Sequence, residues 1–231
     1  MEKHCKELLH HVPDLLSRYV LDLGAGRGRF LIALVKLGGK GEGLEINPAY
    51  IKEAQKNGED AGVSLKITEG VGEKLPYDDN CFDFANLSEV IEHVQDPILV
   101  VRELHRVLRT EGVAYVSIPN RFGFRDPHYH LYGINWLPRW FAEKIIFWLG
   151  KIKDEHGEAG HQKLSEMHYM TYRDAKKFFL ENGFDAKDIR EIKIQERYKT
   201  PLLFVFVTCV YRILRFCYFD SFHFLVYKRE N

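Results

Sequence analysis

The sequence predicts an α/β fold, a doubly wound and mainly parallel sheet of seven strands. Three observations carry this. Short apolar runs alternate with amphipathic stretches from Tyr19 to Ile118, glycines recur at alternate positions directly after the first run, and an acid, Glu45, closes the second. Strands that alternate with helices pair in parallel, because the returning chain needs a crossover of about a dozen residues, usually a helix. A chain of 231 residues suits one substantial domain, so residues 1–231 are read as a single domain carrying insertions.

In chain order, Glu2 to Ser17 reads as an amphipathic helix with Pro13 as a kink. Tyr19 to Leu23 is the first strand, and Phe30 to Leu37 a helix ended by Gly38 and Gly39. Gly41 to Ile46 is the second strand and Pro48 to Gly58 its helix, followed by strands at Ser64 to Thr68 and Phe82 to Leu87. A helix at Pro97 to Leu108 leads to the fifth strand, Gly112 to Ile118. The alternation then breaks down from Asn120 to His168, a stretch that holds all three tryptophans. Thr171 to Asn182 is a helix closed by Gly183, Lys187 to Arg197 is taken as the sixth strand, and Phe222 to Lys228 as the seventh.

Composition narrows the function. Lysine plus arginine equals aspartate plus glutamate at 33 each, so the basic excess of a dedicated nucleic-acid binder is missing and no nucleic-acid partner is expected. The four cysteines lie scattered without a C-x-x-C pair, and Met1 to His11 lacks the apolar core of a signal peptide, which points to a cytoplasmic setting. The longest apolar run, Leu202 to Tyr211, is shorter than the ~20 residues that a membrane-spanning helix needs. Contact with a membrane would therefore be peripheral.

The chemistry begins at Leu21-Asp22-Leu23-Gly24-Ala25-Gly26-Arg27-Gly28. Glycines here let the backbone turn sharply at the strand's carboxyl end and approach a ligand closely. Asp22 can orient a ligand's amine, and Glu45 is placed to take both ribose hydroxyls of an adenosine. The G-x-G-x-G spacing departs from the G-x-G-x-x-G of dinucleotide folds and so speaks against a nicotinamide-dependent dehydrogenase.

With Gly43-Leu44-Glu45, Leu75-Pro76-Tyr77, Glu89-Val90-Ile91-Glu92-His93 and Leu108 to Gly112 following in order, the chain resembles the class I S-adenosylmethionine-dependent methyltransferases. The resemblance implies a Rossmann-like sheet whose last strand is antiparallel, and S-adenosyl-L-methionine lying across the ends of strands one, two and four. It carries cofactor contact to Asp22, Gly24, Ala25, Gly26, Gly28, Glu45, Ile46, Gly72, Glu73, Leu87 and Ser88. One departure is Val71, which stands where such proteins often place an acid against the adenine amine. A cofactor-binding partner subunit without turnover remains the alternative of another class.

Glu89, Glu92 and His93 have i, i+3, i+4 spacing and would share a face on one helical turn. The E-x-x-E-H pattern occurs both in methyltransferases that use a divalent metal and in relatives that use none. The expectation here is no metal, with His128, His130 and His168 as the candidate further donors were one bound. Oxygen and nitrogen acceptors must lose a proton, so a histidine near the methyl group is useful. His128 or His130, in the loop after strand five, is expected to be the base or substrate clamp, with His93 behind.

Two insertions should choose the acceptor. Residues 120–168 are read as a substrate lid, with Leu137, Phe141, Ile145 and Trp148 in a stripe, and residues 201–219 as an apolar helical segment. Either the two pack together over the pocket, with Leu202, Leu203, Phe206 and Val210 buried, or the second faces lipid; the lid is favoured. The acceptor is read as a small molecule or a lipid-linked one, methylated on oxygen.

Overall fold

The computed structural model describes residues 2–151 and 162–229. Seven strands form one sheet: β1 (Tyr19–Leu23), β2 (Lys40–Glu45), β3 (Ile67–Glu69), β4 (Phe82–Leu87), β5 (Leu108–Pro119), β6 (Phe184–Asp188) and β7 (Ser221–Lys228). Their order is β3-β2-β1-β4-β5-β7-β6, and only β7 opposes its neighbours. The order reverses between β1 and β4, which pair in parallel at Asp22 and Asn86. Such a switch point opens a crevice beyond the strands' carboxyl ends, where ligands bind in open α/β sheets.

Local chemistry explains the helices that frame this crevice. Helix α2 (Arg29–Lys36) follows the glycine turn and is stopped by Gly38 at φ 91°. Helix α3 (Pro48–Asp60) is capped by Asn47, whose side chain accepts from Ala49 N at 2.9 Å, with Pro48 in the first helical position. Helix α4 (Pro97–Val107) has the same signature, with Asp96 accepting from Ile98 N. Strand residues alternate between two cores: Leu21, Ala114, Val116 and Phe224 pack with α4, while Val20, Tyr115 and Leu225 pack with α1 (Glu2–His11) and α2.

The structure corrects several expectations. Helix α1 ends at His11, and Leu15–Ser17 is a separate 3-10 turn; Pro13 has no N–H to continue the ladder, and its ring obstructs the preceding turn. Strand β6 is Phe184–Asp188, whereas Ile189–Arg197 is a helix, α7, and not a strand. Alternation in Phe184-Asp185-Ala186-Lys187-Asp188 buries every second residue, and the Asp188 carboxylate caps α7 by accepting from Arg190 N.

The insertions behave differently from the expected lid. After β5 the chain makes a small core of its own from Tyr129, Ile134, Ala142, Ile146, Leu164 and Met167, around α5 (Arg139–Trp148). Residues 152–161 of the 120–168 segment lie outside the described residues. Helix α6 (Tyr172–Glu181) returns to the sheet, and α8 (Pro201–Leu214) follows α7. The segments meet at their roots: Asn120 Nδ2 donates to the carbonyl of Phe219 at 2.9 Å, and Phe122 stacks on Phe216 with centroids 5.2 Å apart. Beyond that the expected burial fails. Leu202 is 82% exposed and Phe206 64%, because α8 turns only one stripe, through Tyr211, towards the protein, and Trp148 at the end of α5 is 83% exposed.

Candidate cofactor and acceptor site

The turn after β1 has glycines at φ 73°, 51° and 72°, all in the left-handed region that side chains disfavour, at Gly24, Gly26 and Gly28. Their further reasons differ. A Cβ on Gly24 would lie 2.6 Å from Val90 Cγ2, so the turn packs tightly on the segment after β4. One on Gly28 would lie 2.8 Å from Leu65 and 3.0 Å from Ala54 Cβ, where α2 begins against α3. On Gly26 it would meet nothing nearer than the Gly24 carbonyl at 4.0 Å. Gly26 therefore fronts open space, as a ligand cradle requires.

Glu45 closes this cradle. Its Oε2 accepts from Gly26 N at 2.7 Å and its Oε1 from Asn47 N at 2.9 Å, and the residue is buried. A carboxylate has about four acceptor positions, so two remain for a diol after the backbone takes two. Gly24 N and Ala25 N both donate to the Leu44 carbonyl, which holds the turn against the end of β2. Just beyond, Gly70 N donates to the Glu45 carbonyl, so the residues that follow, Ile46 and Val71, leave adjacent strand ends together. Both are exposed and apolar, at 63% and 41%, an open surface for a flat ring where an acid is absent.

Asp22 lies buried one strand position from the turn. Burial pushes its carboxyl up to about 7; the hydrogen bond from Asn86 Nδ2 at 2.7 Å opposes the shift, and the Glu45 charge adds to it. His4 Nε2 sits 3.0 Å from Asn86 Oδ1, tying α1 to the same network. Of the remaining expected contacts, Leu87 is buried at the end of β4, and Ser88 starts the turn after it. Gly72 packs on Val100 and Leu23. Glu73 Oε1 accepts from Gln95 N at 2.8 Å and steadies the entry to α4.

The acidic and histidine segment is not the helical turn its spacing suggests. Glu89 sits at φ 59° with its N–H donating to Ser117 Oγ at 2.7 Å, so the chain bends there, and Glu89 is not among the gathered ligand-type groups. The structure instead brings Glu92, His93 and His128 together, with ligand-type atoms all within 4.8 Å of one another. Glu92 Oε1 is 3.8 Å from His128 Nε2 and 4.0 Å from His93 Nε2, and Glu92 and His128 are buried. His93 Nδ1 also meets Gln162 Oε1 at 3.0 Å. His130 is separated from this group: at φ 55° its side chain is exposed, with Nδ1 2.7 Å from Arg125 Nη2. His168 touches the cluster through its backbone, donating to the Glu92 carbonyl at 3.1 Å.

Asp126 positions His128, a role that its place in the sequence, between Arg125 and Pro127, did not assign. It is fully buried, its Oδ1 accepts from His128 N at 2.9 Å and Tyr129 N at 2.8 Å, and its Oδ2 accepts from the Tyr169 hydroxyl at 3.0 Å. Burial and the neighbouring carboxylate push the Tyr169 hydroxyl far up, so it stays a donor. The signal was Asp126-Pro127, an aspartate that folds back on the backbone two residues ahead. Asn86 was missed too, being one polar residue inside an apolar strand.

A doubly wound sheet with this strand order, a glycine cradle at the switch point and an acid fixed beneath it define the class I methyltransferase architecture. The chain matches, over residues 21–116, the family described as methyltransferase domain. It is 28% identical over 158 residues to a ubiquinone biosynthesis O-methyltransferase of Azorhizobium caulinodans, covering 66% of this chain and 62% of that protein. It is 29% identical over 140 residues to a demethylmenaquinone methyltransferase of Bacillus subtilis, covering 56% of this chain and 60% of the relative. The chain thus spans about three fifths of the length of these relatives. Among solved structures, a SAM-dependent methyltransferase of Methanosarcina mazei shares the fold at a TM-score of 0.61 and 18% identity, over 96% of this chain and 98% of that one.

Proposed function

We propose that this protein transfers the methyl group of S-adenosyl-L-methionine to an oxygen of a small-molecule or lipid-linked acceptor of quinone-precursor type. The cofactor, when bound, supplies an electrophilic methyl group on a sulfonium. The observation that carries the reading is the Glu45 carboxylate, fixed by two backbone N–H groups beside the open face of Gly26. Glu45 and Asp22 hold and orient, Ile46 and Val71 offer an apolar face to the adenine ring, and His128 takes the acceptor's proton. Asp126 fixes the backbone of His128, and the Glu92 carboxylate stabilises the imidazolium that forms. The names of the two relatives support a quinone-type acceptor.

Turnover with labelled cofactor and a panel of catechol and hydroquinone acceptors tests this. His128→Ala should lower kcat by about 10²–10⁴-fold, the usual worth of a positioned base, and leave S-adenosylhomocysteine affinity unchanged. His130→Ala should retain turnover. Equal rates in wild type and His128→Ala would remove the base assignment.

A second reading of the same three groups is supported by their spacing, since Glu92, His93 and His128 can converge on one divalent cation that orients a pair of acceptor hydroxyls. Excess chelator decides between them. Undiminished turnover leaves His128 as base, and loss that magnesium or zinc restores assigns the trio to a metal.

A further inference from the structure

Among the described residues, helix α8 leaves a long apolar face uncovered. Its inward stripe is Phe204, Thr208, Tyr211 and Arg215, at i, i+4, i+7 and i+11, and Tyr211 is anchored by donating its hydroxyl to Asp188 Oδ2. The opposite stripe is Leu202, Phe206, Val210 and Ile213, exposed by 82, 64, 38 and 73%. A continuous outward row of this kind is a binding surface rather than scattered surface leucines. No described helix is long and apolar enough to cross a membrane, and 14 residues reach only about 21 Å against a hydrocarbon core of about 30 Å.

Charge decides what covers the row. From Arg197 to Phe219 the chain has four basic residues and no acidic one. Arg197 and Lys199 precede the helix and are exposed; Arg212 and Arg215 close it, sharing Glu191 Oε1 at 3.3 and 2.8 Å. One carboxylate against two guanidiniums leaves a net positive charge at that end, with Arg215 turned inward and Arg212 exposed, and Arg197 and Lys199 stand exposed at the other. Apolar side chains between cations suit a helix lying in the headgroup plane, where long basic side chains reach phosphates.

The surface continues to the acceptor cluster. Phe216, 61% exposed, stacks on Phe122, and Trp136 Nε1 donates to the Phe122 carbonyl at 2.7 Å. The loop that carries half-buried Phe122 and exposed Trp136 also carries Asp126 and His128 inside. We propose that α8 and this aromatic loop form a docking surface for an anionic lipid bilayer, with α8 in the interfacial plane, so that an acceptor reaches His128 from the membrane. The route of the acceptor rests on the methyltransferase reading; the docking surface does not.

Flotation of the full chain with vesicles of phosphatidylglycerol and phosphatidylcholine tests this, beside calorimetric titration with S-adenosylhomocysteine. The protein should float with the mixed vesicles and much less with phosphatidylcholine alone or in high salt. Leu202→Ser with Phe206→Ser should weaken vesicle partitioning about a hundredfold, each lost apolar contact counting for at least tenfold. Both positions are exposed, so thermal unfolding and S-adenosylhomocysteine affinity should not move. Arg197→Gln and Lys199→Gln should each cost about fivefold on anionic vesicles. In a variant keeping Trp136 alone, emission should shift to the blue with anionic vesicles. Absence of flotation at low salt would overturn the proposal. So would a concentration-dependent dimer that the two serine substitutions dissolve, which would give the surface to a second copy of the chain. A protein that floats but does not bind S-adenosylhomocysteine would keep this surface and lose the methyltransferase reading.

Discussion

Leu104 and Leu202 are the same side chain on two helices that each begin with proline. Leu104, in α4, is fully buried against the sheet, and Leu202, in α8, is 82% exposed. The contrast extends to the regions around them. From β1 to β5 the apolar side chains fill two cores and the crevice edge is lined by glycine and carboxylate. In the two insertions beyond Asn120 the pattern is mixed: Asp126 and His128 are inside, while Phe206, Phe216 and Trp148 are outside. An ordinary protein interior explains the first region. In the second, the exposed row on α8 is what the proposed bilayer contact would cover.

The strongest way to break this contrast is to truncate both leucines. Leu104→Ala should destabilise the fold by about 2–5 kcal/mol, as removal of a packed core side chain does. Chemical denaturation of a variant that loses less than about 1 kcal/mol would show a looser sheet core than described. Leu202→Ser, by the same measurement, should stay within about 0.5 kcal/mol.

Between these lies a pH effect at the cofactor site. Asp22, with its carboxyl raised to about 7, is neutral below that pH and charged above it. If its charge orients the ligand's amine, affinity for S-adenosylhomocysteine should fall as pH drops through 7, by no more than about 1.4 kcal/mol per unit. Asp22→Asn should flatten the profile. The unliganded fold should respond in the opposite sense: an acid whose carboxyl is raised on folding carries a penalty that grows from the ordinary aspartate range up to about pH 7. Titration calorimetry between pH 5.5 and 8.5 reads the first effect and thermal unfolding the second. A flat wild-type affinity would remove Asp22 from amine binding.

The cofactor half was legible because its signals are local. Gly24, Gly26 and Gly28 are close in the chain, and Glu45 follows at a fixed distance along one βαβ unit. The histidine cluster was only half legible, since Glu92 and His93 meet His128 across 35 residues, and nothing in the spacing separates inward His128 from outward His130. That depended on the Asp126 turn and on the left-handed backbone at His130. The sixth strand was displaced because Ile192 and Ile194 alternate like a strand, while Asp188, which starts the helix as its cap, was not weighed. For α8, periodicity located a helix but could not tell a buried apolar face from an exposed one; only the structure does.

The central claim is the cofactor cradle, and calorimetric titration of S-adenosylhomocysteine into wild type, Glu45→Ala and Gly26→Val tests it most directly. Wild type should bind. Glu45→Ala should lose about 1–3 kcal/mol as two charge-assisted hydrogen bonds disappear. Gly26→Val should lose more, because a branched side chain in a left-handed turn adds strain of about 1–2 kcal/mol and fills the space the ligand needs. Wild-type affinity in both variants would contradict the account.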